Sequence, residues 1–165
     1  MYVVLERNSV IRDYHRQKMF LATHPLVDII AHPWWWMGAW MDEDGRYRTL
    51  PWLDDFRHIP RAMHDEFAGA VRENGKLVEI NAGAILLNES YPPSFRPQYL
   101  EYLAMLKDAR VRFAIGSDAH DVGYLARVKL MAADLDAVGI TADDLWEGPT
   151  DSATHPMSGG RRPLV

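Results

Sequence analysis

Three short, largely apolar runs constrain the fold of this chain more than any other feature of its sequence. They span residues 26–31, 77–81 and 112–116. Segments with the apolar spacing of helices lie before and between them. Strands that alternate with helices in this way are typical of a parallel sheet with right-handed crossovers. The sequence therefore predicts an α/β fold in which these three strands are parallel neighbours.

The predicted helices surround these strands. Apolar residues recur at helical spacing over about 9–22, 58–74, 98–109 and 122–137. Three or four strands are too few to close a barrel, so we expect either part of a larger α/β barrel or a small open sheet. Residues 148–165 are rich in Gly, Pro, Ser and Thr and are predicted to form a disordered tail.

Composition excludes several classes of function. The chain has 165 residues, a length typical of one domain, and its net charge of −5 argues against nucleic acid as a partner. It contains no cysteine, which rules out disulfides, thiolate zinc sites and cysteine nucleophiles. No apolar run approaches the roughly 20 residues of a membrane span, and the first residues lack the apolar core of a signal peptide. We therefore expect a cytoplasmic protein with no membrane partner.

The third strand is followed by the strongest candidate for a metal site. Gly116 is expected to let the chain turn sharply, and Asp118 and His120 come after it with one residue between them. Residues i and i+2 of an extended segment point to the same side, so a carboxylate and an imidazole would leave the strand together. Both are good ligands for a divalent metal, while an Asx turn followed by a surface histidine has the same pattern.

The first strand ends in a similar way, at His32 and Pro33. Pro33 cannot donate a hydrogen bond to a neighbouring strand, and His32 is either a second metal ligand or an ordinary loop histidine. The segment 34–56 that follows is rich in tryptophan and contains the turn signal Asp44–Gly45. We expect this insertion to lie over the site as a loop or lid in which Trp34 contacts the substrate, with packing against the fold as the alternative.

Together, three motifs resemble the last strand ends of the PHP (polymerase and histidinol phosphatase) domain family. They are Val27–Pro33, Val78–Asn81 and Ile115–His120, in the order and spacing of that family. The resemblance covers about residues 10–147. It implies that residues 1–147 form the C-terminal portion of a PHP-type (β/α) barrel, which is a distorted seven-stranded barrel in the family.

The resemblance also implies a chemistry. Members of the family hydrolyse phosphate esters with up to three divalent metals at the C-terminal face of the barrel. By matching positions, His32, Asp118 and His120 would be metal ligands, and Asp118 and His120 would act in catalysis. Asn81 belongs to a motif that shapes the floor of the site and would contact the substrate. The implied cofactors are Zn²⁺, Mn²⁺ or Fe, and the implied partner is a small-molecule phosphate ester.

The sequence departs from the family ahead of His32. It contains no H-x-H motif, and only His15 and His24 precede His32, so the upstream ligands of the family have no counterpart. We expect the chain alone to be an incomplete phosphoesterase, with the missing N-terminal half of the domain as a partner. Two alternatives remain open: an amidohydrolase-type metal hydrolase that acts on carbonyl substrates, and a non-catalytic PHP remnant that acts as an interaction module.

Overall fold

The computed structural model describes residues 6–35, 53–89 and 91–148. Most of the predicted tryptophan-rich insertion, and all but the first residue of the predicted tail, lie outside these described residues. Within the three ranges, helices and strands alternate along the chain, from a helix that begins at Arg7 to a short 3₁₀ turn that ends at Asp144.

The described chain is organised around a three-stranded parallel sheet. Its strands are β1 (Ile29–Ile30), β2 (Leu77–Asn81) and β3 (Arg112–Gly116), and they lie side by side in that order. β1 pairs with β2, and β2 pairs with β3, in parallel. The prediction of an α/β fold with three adjacent parallel strands is confirmed.

The first strand is shorter than the predicted span of 26–31. The chain turns just before it, because the N–H groups of Leu26 and Val27 donate to His24 Nδ1 and to the His24 carbonyl, each at 3.2 Å. Leu26 is 85% exposed as a result. The apolar run therefore begins in a turn, and only its last part forms the strand.

A helix precedes each strand, as the alternation predicts. These helices are α1 (Arg7–Thr23), α2 (Arg61–Glu73) and α3 (Phe95–Asp108). α3 begins three residues earlier than predicted and includes Pro97. A proline is tolerated there because the N–H groups of the first helical turn have no partner within the helix.

The region after β3 is more interrupted than predicted. In place of one helix over 122–137, two short helices, α4 (Val122–Leu125) and α5 (Ala132–Ala137), flank a 3₁₀ segment. The chain then returns to the sheet, where the N–H of Trp146 donates to the Phe113 carbonyl at 2.7 Å. This bond covers part of the outer edge of β3.

An aromatic cluster forms a large part of the core. The ring of Phe56 lies 5.7 Å from that of Tyr99 and 6.3 Å from that of His64, measured between centroids. His64 also lies 4.9 Å from Tyr102 and 5.8 Å from Trp34. Trp34 is only 2% exposed. The first residue of the tryptophan-rich insertion is therefore packed inside the fold.

His64 is the titratable member of this cluster. Its Nδ1 is buried and has no hydrogen-bond partner among the described residues. Burial, together with the nearby charge of Arg61, lowers the pKa of the imidazole to about 4, against the opposing effect of Asp65. The ring is therefore neutral at pH 7 and acts as a packing group of the core.

We expect His64 to make the fold sensitive to mild acid. A histidine in the unfolded chain has a pKa near 6.5, so between about pH 6.5 and 4 the unfolded chain binds a proton that the folded chain excludes. The stability that this burial confers is complete above pH 6.5 and falls as the pH drops to 4, by up to roughly 3 kcal/mol. Urea unfolding of the wild type and His64→Leu at pH 7 and at about pH 4.5 measures this difference.

The matched control is His120→Gln, which removes an exposed imidazole. We expect this control to keep the acid sensitivity of the wild type, whereas His64→Leu loses most of it. An unchanged pH dependence in His64→Leu would contradict the role assigned to the buried ring.

Candidate functional site at the carboxyl end of the sheet

The predicted site residues lie at the carboxyl ends of three neighbouring strands. His32 follows β1, Asn81 ends β2, and Asp118 and His120 follow β3. Asn81 is in register with Gly116, so β2 and β3 end at the same level. The carboxyl ends of parallel strands are where α/β folds form their binding sites.

The carboxylate of Glu79 connects the three strand ends. Its Oε2 accepts the backbone N–H of His32 at 3.0 Å, and its Oε1 accepts Asn81 Nδ2 at 3.1 Å. A Cβ atom placed on Gly116 would come within 1.8 Å of Glu79 Oε1. The carboxylate of β2 therefore occupies the space that a side chain at the end of β3 would need.

This contact gives Gly116 a different role from the predicted one. The sequence predicts that Gly116 turns the chain, but its φ does not lie in the left-handed region that glycine enters easily. The residue with a left-handed φ, of 52°, is Asp118. The prediction of a turn at Gly116 is wrong, and the physical reason for glycine there is the space taken by Glu79.

His32 has an uncommon backbone conformation, with a φ of 23°. Its ring stacks on Trp35 at a centroid distance of 5.3 Å, and its Nδ1 lies 3.8 Å from Glu79 Oε2. Burial lowers the pKa of the imidazole, while the negative charge of Glu79 opposes this shift. The ring is therefore neutral at pH 7, which is the form in which histidine binds a metal. Nδ1 is buried and has no hydrogen-bond partner among the described residues, which leaves Nε2 as the nitrogen for a ligand.

Asp118 and His120 lie in an exposed loop after β3. The loop is tied to the chain that leaves β2, because the N–H of Gly83 donates to the Ser117 carbonyl at 3.1 Å. Burial lowers the pKa of His32, and the charge of Asp118 is among the effects that oppose this shift. The convergence of His32, Asp118 and His120 on one face, around a cluster of metals, stays a prediction.

The two predicted substrate contacts, Asn81 and Trp34, are engaged inside the fold. Asn81 is 3% exposed, and its Oδ1 accepts the N–H of Ala84 at 2.7 Å while its amide nitrogen donates to Glu79. Asn81 thereby caps a π-helical turn, Ala82–Leu86, where the sequence predicts only a loop. Trp34 stacks on Tyr14 at 5.0 Å between centroids. Substrate binding by these residues stays a prediction, and their observed contacts are internal.

Sequence reasoning missed one charged residue of this region, Lys18. Its Nζ donates to the Ala31 carbonyl at 3.2 Å and lies 5.0 Å from the centroid of the Tyr14 ring. Lys18 is only 9% exposed. This burial lowers the pKa of its ammonium group to about 8, and the charge of Glu79 opposes the shift. Lys18 is therefore mostly charged at pH 7.

The sequence does contain a signal for the burial of Lys18. A helix buries residues that recur every three or four positions. On α1 these are Ile11, His15, Lys18 and Ala22. A lysine within such a series indicates a charge that points into the protein and that must find a partner there.

The described residues do not by themselves complete a catalytic metal site. A catalytic zinc ion normally takes about three protein ligands and an open position for water. In the described ranges, no three His, Asp or Glu side chains come close enough together to hold one ion. The role of His32 as a metal ligand stays a prediction, and the nearest carboxylate oxygen, Glu79 Oε2, lies 3.8 Å from its Nδ1.

Comparisons with known proteins give no independent information about this site. No family model, curated protein or solved structure matches the chain. Among the described helices, none has both the length and the apolar character that crossing a membrane requires.

We expect Gly116→Ala to destabilise the fold by roughly 1–3 kcal/mol, because the new methyl group would displace the Glu79 carboxylate from its partners. Gly69→Ala on α2 is the matched control, since its added methyl group meets nothing within 4 Å. That variant should be neutral or stabilising by up to about 1 kcal/mol, because alanine favours helix. Urea unfolding of both variants measures the difference, and equal stabilities would show that Glu79 moves aside without cost.

Proposed function

We propose that this chain is the C-terminal part of a PHP-type phosphoesterase domain, which hydrolyses a small-molecule phosphate ester with water activated by divalent metals. The observation that carries the proposal is the contact between the motifs. Glu79, from one motif, bonds to the backbone of His32 in the second and fills the space above Gly116 in the third. Three separate motifs that meet at the carboxyl end of a parallel sheet support a common functional site.

In this proposal each residue has a separate role. His32 is a metal ligand through Nε2, and Glu79 positions it by accepting its backbone N–H. Asp118 and His120 are ligands of the exposed loop, where a substrate and its reacting water have access. Bound ions of this kind, Zn²⁺, Mn²⁺ or Fe, supply hydroxide near neutral pH and neutralise the phosphate oxygens.

The proposal also includes an expected weakness of this chain on its own. The resemblance assigns His32, Asp118 and His120 to different metals, so each ion would receive about one ligand from the described residues. An ion with one protein ligand stays largely hydrated and binds weakly. The remaining ligands and strands of the barrel would have to come from outside these residues.

A second candidate is favoured by the lack of a three-ligand group in the described part of the chain. In this interpretation the fold is a non-catalytic PHP remnant that acts as an interaction module. Glu79 then has a purely structural role, and the exposed loop with Asp118 and His120 is free of metal.

Metal titration and a phosphatase assay distinguish the two candidates. The 165-residue chain is stripped of metal, titrated with Zn²⁺ or Mn²⁺ by calorimetry, and assayed with p-nitrophenyl phosphate. We expect weak metal binding and low turnover, both abolished by the double variant His32→Ala, Asp118→Ala. The matched control is Asp108→Ala, at the helix end that leads into β3, and it should behave as the wild type.

The remaining outcomes each decide a specific point. Robust activity that vanishes in the His32, Asp118 double variant would show that this chain holds a sufficient ligand set. Activity that survives in that variant would refute the proposed site. Complete absence of metal binding in the parent chain would favour the interaction module.

A further inference from the structure

One peptide group beside the candidate site is held at both ends by charged side chains. The carbonyl oxygen of Ala31 accepts a hydrogen bond from Lys18 Nζ at 3.2 Å. The N–H of the same peptide belongs to His32 and donates to Glu79 Oε2 at 3.0 Å. The Ala31–His32 peptide therefore lies between a cation from α1 and an anion from β2.

The two charges match the dipole of this peptide. A peptide carries partial negative charge on its oxygen and partial positive charge on its N–H, so each charged group faces the end that it attracts. Hydrogen bonds to charged groups are stronger than those between neutral groups, and a shielded setting strengthens them further. Lys18 is 9% exposed and the Glu79 side chain is 19% exposed. We call this arrangement the Lys18–Glu79 clamp.

Lys18 lies beside Ala31, just after β1, at the outer edge of the sheet. No strand of the described chain occupies this position. The N–H of Leu77 in β2 donates to the Asp28 carbonyl, and carbonyl groups alternate in direction along a strand. The Ala31 carbonyl, three residues further on, therefore faces away from β2. Lys18 supplies a hydrogen-bond donor to this carbonyl, which a neighbouring strand would otherwise supply.

The backbone of His32, which follows this peptide, has a conformation that its surroundings must stabilise. A φ of 23° is costly for a residue with a side chain and persists where the surroundings enforce it. The clamp fixes the peptide plane on one side of His32, and the N–H of Trp35 bonds to the His32 carbonyl at 3.1 Å on the other side. These bonds together set the direction of the His32 side chain, whose ring then stacks on Trp35.

We propose that Lys18 is a positioning residue for His32. It acts through the Ala31–His32 peptide, by holding the carbonyl oxygen while Glu79 holds the N–H. The role of His32 as a metal ligand rests on the proposed function, whereas the clamp rests on contacts within this chain. A lysine with a merely structural role would stabilise the fold as a whole and would not act selectively on His32.

Amide hydrogen exchange of the metal-free chain, measured by NMR, tests the clamp. In Lys18→Met, which keeps the apolar stem and removes the ammonium, we expect the His32 amide to exchange about tenfold faster. The amides of Ile30 and Val78 in the paired strands should stay within about twofold of the wild type. The nitrogen chemical shifts of the His32 ring should change as well, because the ring loses its fixed position beside Glu79.

Three further variants sharpen this test. Lys18→Arg keeps the charge and should restore slow exchange at His32. Glu79→Gln weakens the clamp from its other end and should accelerate the same amide. Lys107→Met is the matched control, because Lys107 Nζ also donates to a backbone carbonyl, that of Gly139 at 3.3 Å, away from His32. It should leave the His32 amide and ring unchanged.

Two results would overturn the clamp. One is a folded Lys18→Met variant in which the His32 amide exchanges as slowly as in the wild type. The other is an equal increase in the exchange rates of the His32, Ile30 and Val78 amides. If Lys18→Met does not fold, the other variants decide. The clamp is then overturned if the His32 amide exchanges at the wild-type rate in Glu79→Gln, or if it exchanges fast in Lys18→Arg. Metal titration separates the two proposals: a selective effect on His32 with unchanged metal affinity supports the clamp and counts against His32 as a ligand.

Discussion

A carboxylate that lies between three strand ends is the constraint on which the rest of this site depends. A charge that is shielded from water is costly unless hydrogen bonds or an opposite charge compensate it. Glu79 obtains hydrogen bonds from the His32 backbone and the Asn81 amide, and it interacts with the charge of Lys18. These partners come from different elements of the fold. A shift of any one of them would remove part of this compensation, so their requirements favour one arrangement of the strand ends.

The same constraint extends to the exposed loop after β3. Asn81 donates to Glu79 and, with its other amide atom, accepts the N–H of Ala84 within the π-helical turn. Gly83 in that turn bonds to the carbonyl of Ser117, which is the residue before Asp118. A continuous series of hydrogen bonds therefore leads from Glu79 to the loop that carries the other predicted ligands. The position of that loop therefore depends on the side chains of Glu79 and Asn81, which lie outside the loop's own sequence.

Local patterns in the sequence predict the sheet but only part of the site. The alternation of apolar runs and helical spacing depends on near neighbours, and it leads correctly to three adjacent parallel strands. Gly116 is different, because the reason for a glycine there is a carboxylate 37 positions earlier in the chain, in β2. Lys18 is also distant in sequence from the Ala31 carbonyl. Its inward position could be predicted from the spacing on α1, whereas its partner could not.

The contacts of Glu79 explain why this residue suits an orienting role better than direct metal binding. One oxygen accepts the N–H of His32 and the other accepts the amide of Asn81, so direct coordination would compete with bonds that hold the site together. Burial and the charge of Lys18 lower the pKa of His32, and Glu79 opposes both. The cation and the anion that hold the backbone of His32 therefore act on the pKa of its ring in opposite directions, and the ring is neutral at pH 7.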